Sequence, residues 1–173
     1  MPVTKLSLAA LNQLDRDAFV AALGHVFEHA PWVAARTHAR RPFADREALR
    51  RAMLEVVDAA SLSETMALLA GHPELAGKAL AAGEVTADSA REQGGAGLDR
   101  LAPEELTRFQ ALNAAYRAKF GFPFIMAVKG RTKQEILDSF ARRTRYSREA
   151  EYASALEQVA LIAGLRLAAL INE

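Results

Sequence analysis

Proton transfer is the first chemistry this sequence allows. It holds four histidines and no cysteine, so imidazole is available near neutral pH while thiol nucleophiles, thiolate metal sites and disulfides are not. His72 stands in Gly71-His72-Pro73-Glu74-Leu75. Proline pushes the residue before it out of the helical region, so this imidazole sits at a helix end on irregular backbone. Catalytic groups gather at such positions when rigid elements hold them. The competing reading is a helix-terminal histidine bonding the last carbonyls. Ser89, Glu92 and Gln93 stand at i, i+3 and i+4, and a helix would line them along one face. A hydroxyl, a carboxylate and an amide together suit a small heterocycle rich in hydrogen-bonding groups. The alternative is an exposed turn capped by Ser-x-x-Glu.

Other residues offer weaker chemistry. Arg166 interrupts the apolar run Ile162-Ala163-Gly164-Leu165-Arg166-Leu167-Ala168. An arginine there must find an anion or carbonyls, or snorkel outward. Facing a pocket, it would hold a carboxylate or a urea-type oxygen with paired donors. Phe120-Gly121-Phe122-Pro123-Phe124-Ile125 concentrates aromatics in a chain that has few. Core packing explains the rings; the backbone N–H groups of Ile125, Met126, Ala127 and Val128 remain to serve a ligand's oxygens. His25 and His29 have the i,i+4 spacing of a metal pair, which would make a metal-dependent hydrolase. The zincin pattern is missing, and two ordinary half-buried histidines explain them as well. His38 lies in the basic run Arg36-Thr37-His38-Ala39-Arg40-Arg41, either a phosphate site or a solvated helix end.

The elements that must position these groups follow a helical period. Asp15 is expected to cap a helix from Arg16 to about His29. Pro31 opens a short helix, broken at Arg41-Pro42. Asp45 caps a helix that buries Leu49, Met53, Val56 and Val57, and Ser61 with Glu64 forms a capping box ahead of Met66, Leu68 and Leu69. A short helical piece covers Ser89 to Gln93. Pro103 starts a helix to about Phe120, and the run through Val128 is extended, buried chain rather than strand, having no partner. Thr132 with Glu135 caps a further helix, and Ser147 caps a last one reaching about Ile171. The fold class is all-α, one domain over residues 1–173, with seven or eight helices and no significant sheet.

Composition narrows the function classes. The chain has 173 residues, 51% of them hydrophobic and 25% charged, which excludes disorder and fibrous repeats. Lysine plus arginine is 22 against 21 acidic residues, a formal charge of +1, so no global field draws in nucleic acid or an anionic membrane. Leu156 to Ile171 is apolar but broken by Glu157, Gln158 and Arg166, and is expected not to span a membrane. The start, Met1-Pro2-Val3-Thr4-Lys5, lacks the apolar core of a secretory signal, and Ile171-Asn172-Glu173 is no peroxisomal address; the expected location is the cytoplasm.

Seven segments, taken in order, resemble the 2-oxo-4-hydroxy-4-carboxy-5-ureidoimidazoline (OHCU) decarboxylases. They are Leu11-Asn12, Pro31-Trp32-Val33-Ala34, Arg41-Pro42-Phe43, Gly71-His72-Pro73-Glu74-Leu75, Ser89-x-x-Glu92-Gln93-x-x-Ala96-Gly97-Leu98, Leu112-Asn113-x-x-Tyr116-x-x-Lys119-Phe120-Gly121-Phe122-Pro123-Phe124-Ile125 and Leu165-Arg166-Leu167. They cover nearly the whole chain. The resemblance implies an all-α enzyme of urate breakdown that needs no cofactor and no metal, releases CO2 and forms (S)-allantoin. It implies His72 as proton donor with Glu92 beside it. It further implies Pro73, Ser89, Gln93, Phe124, Ile125, Met126, Ala127 and Val128 as the substrate lining, Arg166 on the substrate's polar edge, and a homodimer. Arg143-Thr144-Arg145-Tyr146 departs from the family's Arg-Leu-x-Asn at the turn before the last helix. The rival from another class is a non-catalytic helical interaction module.

Overall fold

A computed structural model describes residues 5–172. Residues 1–4 and Glu173, on which the leader and address readings partly rest, lie outside the described residues. Among the described residues, ten α-helices and one 3-10 turn carry the fold, and the strands are two residues each. The all-α expectation holds. The extra helices are short, α1 (Leu8–Gln13) and α6 (Lys78–Ala81) among them. The chain divides into two compact units, one built from its start to Gly71 with the stretch from Ala160 onward, the other from His72 to Val159.

In the first unit β1 (Leu6–Ser7) pairs in parallel with β2 (Ile171–Asn172). α2 (Arg16–Leu23) is capped by Asp15, whose Oδ1 accepts from Ala18 N at 2.8 Å. It stops at Gly24, well short of the expected His29, and His29 takes φ 51°. His25 and His29 therefore share no helix, and the i,i+4 metal spacing is lost. α3 (Pro31–Thr37) starts on its first-turn proline. α4 (Arg46–Asp58), capped by Asp45, buries Leu49, Ala52, Met53, Val56 and Val57. α5 (Leu62–Ala70) carries the Ser61/Glu64 capping box. The basic run is used structurally. Arg36 pairs with Glu64, Arg40 with Glu55 at 2.6 Å, Arg41 donates to the Asn12 and Leu14 carbonyls, and His38 Nε2 meets Leu14 O at 3.2 Å.

In the second unit α6 is followed by α7 (Ala87–Gly95), α8 (Pro103–Phe120), α9 (Lys133–Arg143) and the first part of α10 (Arg148–Leu170). Gly121 closes α8 in the left-handed region at φ 79°, where a Cβ would be strained. Residues 121–128 then run without helix or strand. Their rings enter the core: Phe124 stacks on Phe140 at 4.1 Å, and Tyr116 meets Phe120, Phe122, Phe124 and Phe140. α10 is 23 residues long and apolar enough, by length and composition, to cross a membrane, which the sequence expectation had denied. Glu151 and Arg166 on it are nonetheless buried and ion-paired inside protein.

Candidate active site

His72 follows α5 directly. Gly71 ends that helix, Pro73 prevents its resumption, and the imidazole is left 7% exposed. It lies in the wall of a pocket of about 670 Å³ in the second unit, with Pro73 beside it. Glu74, Lys78, Gln110, Asn113 and Arg117 supply further polar lining. Arg117 Nε donates to Glu74 Oε1 at 3.0 Å, while Lys78 is exposed. Two cations against one carboxylate favour an anionic occupant. Asn113 stands buried within α8 and donates from Nδ2 to Leu75 O at 2.9 Å, which fixes its amide. Its Oδ1 is buried and accepts no hydrogen bond among the described residues. Lys78, Asn113 and Arg117 are not among the expected site residues; Asn113 stands in a segment that carries the resemblance, its i,i+4 spacing on α8 links Arg117 to it, and nothing local marks Lys78.

The Ser89–Gln93 segment is helical, but the cap is Thr86, whose Oγ1 accepts from Ser89 N at 3.3 Å. Ser89 lies inside the helix at 4% exposure, so the exposed Ser-x-x-Glu capping turn does not form. Gln93, 3% exposed, reaches back to the loop behind His72. Its Oε1 accepts from Ala76 N at 2.9 Å and its Nε2 donates to Glu74 O at 3.4 Å. That clamp ties α7, and with it Glu92, to the His72–Gly77 loop. Gln93 thus holds backbone, a role the sequence did not indicate. Ser89 and Gln93 do not line the pocket at His72.

The second candidate surface is the 124–128 segment, which is not part of that pocket's lining. The Phe124 ring is spent on packing: it is 1% exposed, stacked on Phe140 and covered by the Arg143 guanidinium at 4.4 Å. What the segment offers a ligand is therefore backbone. Ala127 N already donates to Gln158 Oε1 at 2.9 Å, and Ile125 O accepts from Arg143 Nη1 at 2.8 Å. Arg143 in turn grips Glu151, with Nη2 to Oε1 at 2.6 Å and Nε to Oε1 at 3.0 Å. The Tyr116 hydroxyl donates to the same carboxylate. Burial, and then the hydrogen bond to Glu151, raise the Tyr116 phenol far above its ordinary range. Arg143, Glu151 and Gln158 were not among the expected site residues.

Arg166 belongs to the first unit. It does not snorkel: at 5% exposure its Nη1 donates to Glu28 Oε2 at 2.9 Å and to His25 O at 3.2 Å. The expectation that it must find an anion or carbonyls is met, by the protein itself.

The model of the OHCU decarboxylase family matches residues 12–168. The chain belongs to that family. As a member it is a decarboxylase, a carbon–carbon lyase. Among its relatives, an OHCU decarboxylase of Halalkalicoccus jeotgali is 44% identical, over 95% of this chain and 92% of that one. A uric acid degradation bifunctional protein of Bacillus subtilis is 42% identical over 94% of this chain, which spans only 32% of that protein. A crystal structure of (S)-allantoin synthase superimposes with a TM-score of 0.75 at 31% identity. It covers 96% of this chain, which spans 54% of that one. The OHCU decarboxylase family match runs through both compact units.

Proposed function

We propose that this chain converts OHCU to (S)-allantoin and CO2, without cofactor or metal, and that His72 protonates the neighbouring ring carbon, the one that carries the ureido group, as the carbon that loses CO2 becomes the lactam carbonyl. The observation that carries this is family membership across both units together with a nearly buried His72 on rigid, Pro73-bounded backbone in a net-cationic pocket. The substrate's carboxylate hangs on a carbon next to a ring C=N. When the C–C bond breaks, its electron pair moves into that imine, so the substrate carries its own electron sink. The protein then has to orient the ring, accommodate its charge and deliver one proton to one face, which sets a single enantiomer. Glu92, tied to the His72 loop through its neighbour Gln93, orients the imidazole and fixes its tautomer. Backbone amides of the 125–128 segment other than the Ala127 N–H, which Gln158 holds, meet the ureide oxygens; the resemblance alone gives Arg166 the substrate's polar edge. Residues 1–173 act as one domain, as a homodimer, in the cytoplasm, with no nucleic-acid or membrane partner.

The test generates the labile substrate from urate in situ and follows chiral product by circular dichroism. His72→Ala is expected to abolish enzymatic (S)-allantoin formation while keeping the far-ultraviolet spectrum. Wild-type rates in that variant remove His72 from the chemistry. Glu92→Gln keeps shape and loses charge, so an unchanged pH–rate profile removes the His72–Glu92 pair. Full activity after exhaustive chelation is expected, and its loss contradicts the metal-free route. A wild-type chain that fails to accelerate product formation favours the interaction module.

A further inference from the structure

Two side chains fix two consecutive peptide groups in the 124–128 segment, and their geometry decides what that segment can recognise. A peptide group is planar and trans, so its C=O and N–H point in opposite directions. Arg143 Nη1 holds Ile125 O at 2.8 Å. The other end of that same peptide group is Met126 N–H, which must point away from the guanidinium. Gln158 Oε1 holds Ala127 N–H at 2.9 Å. The other end of that group is Met126 C=O, which must point away from the Gln158 amide. Both outward groups belong to Met126, which is only partly buried, whereas Phe124, Ile125 and Val128 are buried.

We propose that Arg143 and Gln158 are positioning residues that aim Met126 N–H and Met126 C=O as a donor–acceptor pair at the amide edge of a ureide. This rests on the proposed reaction, whose substrate and product both carry –NH–CO–NH2 and ring lactam edges. Met126 lies in a stretch that forms neither helix nor strand, so neither group is spent on a backbone ladder. A ureide edge offers the complementary carbonyl and N–H. Arg143 is itself immobilised, because it is bonded to Glu151, which the Tyr116 hydroxyl also holds, and because Phe124 lies against its face. Arginine suits the task, since its fork serves a carboxylate and a carbonyl at once.

Gln158 is the better handle for a test, because it is half-buried on a helix and its replacement leaves the Arg143–Glu151 pair intact. Gln158→Leu and Gln158→Ala remove the acceptor for Ala127 N–H. Gln158→Glu keeps one. With Gln158→Leu and Gln158→Ala, KM for in-situ OHCU is expected to rise roughly five- to tenfold, the worth of one well-aligned hydrogen bond. The inhibition constant of (S)-allantoin should rise in the same proportion, and kcat should stay within about twofold, because the contact is made before and after the chemistry. Gln158→Glu should restore both constants. A merely structural role would lower thermal stability and leave KM and the inhibition constant alone; that result overturns the proposal. So does equal impairment of all three variants. If wild-type protein turns over no OHCU, the reaction assignment fails instead, and the two failures are distinguishable.

Discussion

Tyr116, Arg143 and Glu151 form a buried polar cluster whose energetics can be worked from the structure and measured. The Arg143 and Glu151 side chains are 6% and 0% exposed. Glu151 Oε1 accepts from Arg143 Nε and Nη2 and from the Tyr116 hydroxyl. Tyr116→Phe keeps the ring among Phe120, Phe124 and Phe140 and opens no cavity. It removes one hydrogen bond to a charged acceptor, worth about 1.5–3 kcal/mol. Glu151→Gln keeps shape and one acceptor but strands a buried guanidinium, which costs about 3–5 kcal/mol. In the Glu151→Gln background the Tyr116 hydroxyl meets a neutral amide, so its removal should cost only about 0.5–1.5 kcal/mol. The two substitutions are therefore expected to couple by about 1 kcal/mol or more. Urea titrations of the four proteins, followed by circular dichroism at 222 nm, read these differences as midpoint shifts of roughly 1 M per 2 kcal/mol. Strict additivity, or a Tyr116→Phe midpoint equal to wild type, refutes the view that this cluster is one charge-assisted network.

The other outcomes are independent of that cluster. The Arg36 guanidinium and the Ser61 N–H hold the Glu64 carboxyl at about 2, below its ordinary 4.5. Stability from Glu64 is then full above about pH 4.5 and lost as pH falls toward 2, so the Tm gap between wild type and Glu64→Gln should close across that window; a constant gap contradicts the pairing. Glu28→Gln strands Arg166, since the side chains are 1% and 5% exposed, and should cost about 3–5 kcal/mol by urea denaturation; a loss under about 1 kcal/mol removes the pair from the core. Trp32, the one tryptophan, reports on the first unit. If the chain is one cooperative domain, its fluorescence midpoint in urea coincides with that of far-ultraviolet dichroism, and two separated midpoints refute it.

Local rules recovered the elements where one residue sets the boundary. Pro103 and Gly121 bracket α8, and Asp15, Asp45, Ser61, Thr132 and Ser147 each cap a helix where expected. The failures had local causes too. The apolar period continues past Gly24 through Val26 and Phe27 and so predicts a longer α2, yet both residues are buried in a turn. Ser89 has the Ser-x-x-Glu pattern of a cap, but Thr86, three residues earlier, takes that place. His72 and Pro73 were legible because a helix must end there. Lys78 and Arg117 at the pocket, and Gln93 as a backbone clamp, were not, because long-range pairing of ordinary polar residues leaves no periodic trace.

The two buried arginines show what such pairing achieves. Each stands on a helix, Arg143 on α9 and Arg166 on α10, and each faces a segment that is neither helix nor strand. A buried irregular segment has carbonyls with no ladder to join, and an unpaired one is costly. Arg143 satisfies Ile125 O while paired with Glu151; Arg166 satisfies His25 O while paired with Glu28. In each case the carboxylate neutralises the charge and the guanidinium's remaining donors tie down loop backbone. Lysine could neutralise the carboxylate but lacks the planar fork that reaches both acceptors. Irregular backbone can therefore be held rigid without secondary structure of its own. Residues 125–128 are held in this way, by Arg143 and Gln158, with no strand pairing.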